Sequence, residues 1–347
     1  MSKVLVIGDA HLRLQLLEEG RSFIHQTLEI IRAGGYDRVI LLGDQTDTFA
    51  VIRSEVLSLW SEFFREASKH AHVIALVGNH DIAGADGGTN SMEPFNTYNN
   101  VSIIAKPTVI DGIHYVPFMR DNAEFEAYCR SIPAGRVLFC HQSFNGAQFA
   151  NGFYDPHGAD PTCVAHLKAV ISGHIHLYQL FANIWYPGTP MQNSFGEANQ
   201  EKGLFEIDLS DSDYNVIRKF VLDLPTYHLL EAQTLGELSE LIASKSSLDI
   251  SKSNFKLSAQ GAPAEIADFW SDPAIKEFKS RARRVVDAMT SIKPESSLVS
   301  TKGKTQKEKL REFIKGRTWR SSSEQLTDRA EELLFGAATV ERAMASQ

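Results

Sequence analysis

Short, unbroken apolar runs punctuate the first half of the chain. Lys3–Ile7, Arg38–Leu42, Val73–Val77, Val137–Cys140 and Ala169–Ser172 are rich in β-branched residues. Runs of that length and composition predict strands buried on both faces. Between the first three, apolar residues recur at helical spacing, through Leu17, Phe23, Ile24, Leu28 and Ile31 and again through Val56, Leu59, Trp60, Phe63 and Phe64. Strand, helix, strand predicts βαβ crossovers, hence an α/β layered core with its working groups at the carboxyl ends of the strands. From about Ala182 to Leu222 the runs shorten, and Leu204–Leu209 and Val216–Val221 are expected to complete a second sheet packed on the first.

Around Leu224-Pro225 the pattern changes, which sets a first domain at 1–224. Residues 225–292 read as a small α+β cap, with an amphipathic stretch at Leu235, Leu238, Leu241 and Ile242, a strand-like Phe255–Ser258 and a helix-like Ala274–Met289. Residues 293–306 are mostly Ser, Thr, Lys, Pro and Gly, the composition of a linker. Two amphipathic helices are predicted in 307–347. Leu310, Phe313 and Ile314 form the stripe of one; Leu326, Ala330, Leu333, Leu334 and Ala337 form that of the other, opened by a capping-box pattern from Ser322 to Gln325. There is no internal repeat.

A length of 347 residues suits one large catalytic domain with a smaller companion. The apolar fraction of 43% and charged fraction of 22% are those of a globular protein, and no stretch approaches the roughly 18 unbroken apolar residues of a membrane span. The first residues read as a strand and lack the long apolar region of a signal peptide, so a cytoplasmic protein without a membrane partner is expected. Cys129, Cys140 and Cys163 show no C-x-x-C spacing and are read as reduced thiols. The net charge of −8 is unevenly spread, since Lys276 to Arg320 holds 14 Lys/Arg against 5 Asp/Glu. Such a basic segment fits either an acidic or nucleic-acid partner or a solvated linker and helix face.

The chemistry sits in five clusters, each behind an apolar run: Asp9-Ala10-His11, Gly43-Asp44-Gln45-Thr46-Asp47, Gly78-Asn79-His80-Asp81, Cys140-His141 and Gly173-His174-Ile175-His176. Asp9 and His11, two apart, project to one side and can share a cation. Asp44 has two oxygens and is the natural bridge between two ions. Asn79 offers a carbonyl oxygen and His141 an imidazole, while His174 and His176 alternate and can each serve a different ion. Nitrogen and oxygen donors without thiolates suit manganese, iron or zinc. His80 and Asp47 are cast as catalysts, an imidazole held by a carboxylate that protonates a leaving alkoxide. Asp81 is read as shaping the turn after His80. His25, His70, His72, His114, His157, His166 and His228 belong to no cluster and are read as ordinary surface or core residues.

These residues resemble the calcineurin-like metallophosphoesterase superfamily, whose pattern D-x-H, G-D-x-x-D, G-N-H-D, H and G-H-x-H is met across roughly residues 3 to 190. The resemblance implies a four-layer α/β/β/α sandwich. It places one metal on Asp9, His11, Asp44 and His176 and the other on Asp44, Asn79, His141 and His174, with His80 as leaving-group residue oriented by Asp47. The segment from Tyr186 to Phe205 is similar to SbcD-type DNA repair nucleases and to the nuclease subunit of phage recombination endonucleases. That similarity implies manganese, a DNA substrate, an SMC-like ATPase partner of the SbcC type, and a nuclease homodimer within a heterotetramer. Four residues depart from the superfamily pattern. Arg13 stands where many members carry Gly, Gln45-Thr46 replaces an apolar pair, and Thr48 replaces the Arg of protein phosphatases, which counts against phosphoprotein substrates.

The leading expectation is therefore a two-metal DNA phosphodiesterase, an exonuclease with structure-dependent endonuclease activity, working with an ATPase. A stand-alone phosphodiesterase for small nucleotides would share the metals but would have no use for the basic segment and terminal helices. A non-catalytic scaffold is disfavoured by the full set of donors.

Overall fold

The computed structural model describes residues 2–48, 52–83, 89–209, 215–245 and 248–291, together with Thr305, Glu308, Leu310, Arg311, Ile314, Leu326 and Ala330. The chain divides into Met1–Ser291 and Ile292–Gln347.

Two six-stranded sheets form the centre of the first unit. One runs, edge to edge, Asn215–Phe220, Leu204–Asp208, Lys3–Ile7, Arg38–Leu41, His72–Leu76 and Val101–Ile104. Its Lys3, Arg38, His72 and Val101 strands are parallel neighbours, and Leu204–Asp208 lies antiparallel to Lys3–Ile7. The second runs Gln179–Phe181, Ile184–Tyr186, Ala169–Ser172, Val137–Cys140, Ile113–Val116 and Thr108–Ile110.

Strand alternation sorts the side chains into layers. Val4, Val6, Ile40, Ile74 and Leu76 meet Tyr115, Phe139, Ile171 and Trp185 in a dry core between the sheets. Leu5, Ile7, Val39 and Leu41 point the other way, onto Phe23, Leu28, Trp60 and Phe63 of helices Leu17–Gly34 and Ser54–Ala67. On the far face, Leu138, Cys140 and Val170 pack with Phe125 and Cys129 of helix Asn122–Ser131. The result is the expected four-layer α/β/β/α arrangement. Gly35 ends the first helix in the left-handed conformation at φ +61°, and the chain turns into strand Arg38–Leu41.

The expected place of the last two strands is corrected by the sheet order. Leu204–Asp208 and Asn215–Phe220 extend the first sheet, and the second is completed by Gln179–Phe181 and Ile184–Tyr186 instead. Lys3 pairs with Asp208 and Val6 with Phe205, so the open side of the first strand is closed by a return from late in the chain.

Beyond Leu224 a smaller parallel sheet joins Thr226–Thr234, Ser253–Gly261 and Arg284–Asp287, with Thr290–Ser291 also paired to the middle strand. Helices Leu235–Ala243, Pro263–Ser271 and Pro273–Arg281 cover it through Leu238, Ile242, Phe269 and Phe278. Thr234 and Glu237 cap the first reciprocally, and prolines open the other two. The helix expected over Ala274–Met289 stops at Arg281, because the β-branched pair Val285-Val286 joins the sheet beside Phe255 and Lys256.

In the second unit, Thr305 and Glu308 form a capping box, and Glu308, Leu310, Arg311 and Ile314 are helical, as are Leu326 and Ala330. Phe313, Leu333, Leu334, Ala337 and the Ser322–Gln325 pattern lie outside the described residues. Among the described residues no helix is long and apolar enough to cross a membrane.

Candidate metal centre

All five clusters lie at the carboxyl ends of strands. Asp9 and His11 follow Lys3–Ile7, Asp44 and Asp47 follow Arg38–Leu41, and Asn79 and His80 follow His72–Leu76. His141 follows Val137–Cys140, and His174 and His176 follow Ala169–Ser172. The first three strands belong to one sheet and the last two to the other, so the groups meet where the two sheets end together.

Bringing loop to loop strains the backbone. His11, Asp44 and His174 hold left-handed φ of 46°, 52° and 78°, a region that side chains with a Cβ rarely enter and that is retained where the surroundings enforce it. Gly43, at φ +112°, lets His141 in, since a Cβ there would stand 2.2 Å from its Nδ1.

Three donor groups result, one of them His11, Asp47 and His80, whose ligand atoms lie within 4.8 Å of one another. Asp9, His11 and His176 offer ligand atoms within 4.8 Å of one another, as do Asp44, His141 and His174. Asp44 Oδ2 lies 3.5 Å from both His11 Nε2 and His141 Nε2, between these last two groups. Asn79 Oδ1 is 2.7 Å from His174 Nδ1 and 3.1 Å from His141 Nε2. Asp9, His11, Asp44, Asn79, His141, His174 and His176 are thus gathered at one place in the fold.

The donor chemistry fits cations there. His141 Nδ1 donates to the Leu42 carbonyl at 2.7 Å, which leaves Nε2 facing two acceptors, Asn79 Oδ1 and Asp44 Oδ2. His176 Nδ1 donates to Glu197 Oε1 at 2.8 Å, and its Nε2 then faces His11 Nε2 at 2.9 Å. His11 Nδ1 is buried without a hydrogen-bond partner. A cation between these nitrogens and oxygens would take the place of the shared protons in each contact, with the imidazoles neutral.

The electrostatics divide the four imidazoles, two lowered by burial and two, His141 and His176, raised against burial by the carboxylates beside them. Burial lowers His11 to about 3 and His174 to about 4, so both are neutral near pH 7, the ligating form. Burial raises Asp9 to about 6. Burial also disfavours the charged forms of His141 and Asp44, yet Asp44 and Asp9 hold His141 up at about 9, and His141 with His11 keeps Asp44 well below the carboxylate range.

His80 stands beside these groups, its ring 4.8 Å from that of His11, edge to face. Its backbone N–H donates to Asp44 Oδ1 at 2.8 Å. The expected contact with Asp47 differs in kind. His80 Nδ1 meets the Asp47 backbone carbonyl at 3.0 Å, whereas the carboxylate pairs with Arg13 at 3.3 Å. The main chain of Asp47 meets the imidazole directly, and its carboxylate lies within 4.8 Å of the same ring and 3.7 Å from His11 Nδ1. Asp81 is buried and accepts from the backbone of Gly78, Thr46 and Gln45, a turn-shaping role that ties the second and third loops together.

Two contributors escaped the motif reading. Glu197 is buried, orients His176 and is itself held by Thr189 Oγ1 at 3.0 Å, the Asn193 N–H at 3.2 Å and Lys202 at 3.5 Å. Phe118 stacks on His174 at 5.8 Å. The available signal for Glu197 was an acid within the Pro- and Gly-rich stretch after Tyr186, but a residue that supports a ligand has no fixed spacing from it. Of the histidines left aside, His72 bonds Ser102, His114 meets Tyr128 and His166 meets the Ile132 carbonyl, ordinary structural contacts.

Residues 2–178 match the calcineurin-like phosphoesterase family. The chain is 27% identical over 258 residues to the putative phosphoesterase 244L of Invertebrate iridescent virus 6, covering 69% of this chain and 88% of that protein. It is 29% identical over 222 residues to exonuclease subunit 1 of Enterobacteria phage T4, covering 59% of this chain and 64% of that one. To the putative phosphoesterase 078R of Invertebrate iridescent virus 3 it is 27% identical over 213 residues, covering 56% and 59%. It therefore spans less than two thirds of the last two relatives.

Proposed function

Because the chain belongs to the calcineurin-like phosphoesterase family, we propose that it is a two-metal nuclease that hydrolyses phosphodiesters in DNA. The carrying observation is the pair of donor groups on either side of Asp44 Oδ2, with His80 alongside. Two divalent cations held there would supply Lewis acidity and a lowered water pKa. Asp9, His11, Asp44 and His176 would hold one; Asp44, Asn79, His141 and His174 would hold the other. The mixed imidazole and oxygen set favours manganese over magnesium. With Nδ1 fixed on the Asp47 carbonyl, His80 presents Nε2 to carry a proton to the leaving oxygen.

DNA as substrate is supported by the likeness to exonuclease subunit 1 of the phage and by the basic stretch from Lys276 to Arg320. The partner we assign is an SbcC-type ATPase bound through the helices after residue 305, with two nuclease copies in a heterotetramer working on DNA ends in recombination and double-strand-break processing, in the cytoplasm. Coexpression with such an ATPase tests the assignment. Copurification and ATP-dependent digestion of linear duplex are expected, both lost on deleting residues 305–347. A chain that stays monomeric beside the ATPase and degrades only mononucleotide diesters is a small-nucleotide phosphodiesterase instead.

A further inference from the structure

Arg13 lies two residues after His11, and the structure gives it a place beside the candidate metal centre. Leu12, the residue before it, pairs with Thr46, so the loop carrying His11 is bound to the loop carrying Asp44 and Asp47. The Arg13 guanidinium reaches Asp47 Oδ2 with Nη1 at 3.3 Å and donates from Nη2 to the Asn193 carbonyl at 2.6 Å. A guanidinium carries five N–H donors and its charge at every working pH, so these two contacts fix it and leave donors over. Its side chain remains 26% exposed.

Arg13 also lines a cavity of about 300 Å³, together with Leu12, Leu14, Ile52, Arg53 and Val56. That is the small end of the range for ligand pockets. Among the described residues, Arg13 and Arg53 are its only charged lining groups, and both are cations. Arg53 stands at the N-terminus of helix Ser54–Ala67, whose partial positive charge adds to theirs. Leu14 and Ile52, each 39% exposed, offer apolar surface next to the two charges. In a chain of net charge −8, a pocket lined by two arginines, one of them paired with Asp47 and close in sequence to His11, suits docking of a polyanion.

We propose that Arg13 is a positioning residue which, with Arg53, grips the phosphate adjacent to the one being cleaved, the attached nucleoside lying against Leu14 and Ile52. The inference rests on the nuclease reading and deepens it. Asp47 then links two tasks: its carbonyl aims His80 and its carboxylate aims the guanidinium, so the neighbouring phosphate and the proton-carrying imidazole are set by one residue.

The test compares a thymidine dinucleotide lacking terminal phosphates with its 5′- and 3′-phosphorylated forms, all in manganese. Wild-type protein should favour one phosphorylated form by about tenfold or more in kcat/KM, through KM. Arg13→Ala and Arg53→Ala should each collapse that preference toward one, and Arg13→Lys should restore part of it. In metal-free buffer with chelator, Arg13→Ala should also lessen the slope of log affinity for phosphorylated oligothymidylate against log salt by about 0.7. The proposal is overturned by a wild type without preference, by variants that keep it, or by an equal loss on all three substrates, which would make Arg13 a brace for the His11 and Asp47 loops. A wild type that hydrolyses thymidine monophosphate but none of the dinucleotides removes the nuclease reading itself, and this inference with it.

Discussion

The donor groups on either side of Asp44 Oδ2 are anchored by different means. On one side His141 is fully buried and its Nδ1 rests on a main-chain carbonyl, that of Leu42, directly after a core strand. On the other, the His176 side chain is 33% exposed and is aimed by a carboxylate, Glu197, from a loop outside the five clusters. A backbone anchor cannot be removed by substituting a side chain, whereas a carboxylate anchor can. The His141 half is thus fixed by the fold, and the His176 half is tuned by the 189–202 stretch that holds Glu197.

This contrast can be broken most severely at the carboxylate between the groups. Asp44→Ala should empty both halves and abolish measurable turnover; two ions per chain by metal analysis would show that Asp44 bridges nothing. His80→Ala should leave both halves filled while turnover falls about 10² to 10⁴-fold, the usual range for a lost general acid. Loss of an ion in that variant would make His80 a ligand. The contrast is sharpened by Glu197→Gln, which should weaken the ion on the His176 side about 10- to 100-fold and leave the other unchanged in a two-site calorimetric titration. Equal weakening of both would mean that the halves are one mechanical unit. The smallest effect concerns the ion. Turnover in manganese should exceed that in magnesium roughly tenfold or more, because magnesium prefers an all-oxygen octahedron and sheds water reluctantly. Equal rates would contradict the nitrogen-rich donor set.

What the sequence disclosed follows from how local the controlling forces are. Lys3–Ile7, Val137–Cys140 and Ala169–Ser172 were readable to the residue, because a strand covered on both faces must be apolar at successive positions. Which sheet Leu204–Asp208 joins was not readable, since membership is decided by a partner some two hundred positions away. Thr226–Thr234 escaped because its burial is mostly partial and its alternation weak. In the site, the donors announce themselves through strand ends and spacing. Glu197 and the switch from carboxylate to carbonyl at Asp47 depend on loop conformation, which no short motif encodes.

The pairing of Lys3 with Asp208 bears on how the protein is made. At a synthesis rate of about 5–20 residues per second, the first strand leaves the ribosome roughly 10–40 s before the strand that closes its open edge. During that interval Asp9 and His11 hang from an unsealed β edge, while His174 and His176 have yet to be translated for most of the wait. A cation that needs donors from all five clusters could therefore bind only late in synthesis. The nascent chain spends that time with an exposed apolar strand edge, the feature that recruits chaperones or, without them, a neighbouring nascent chain.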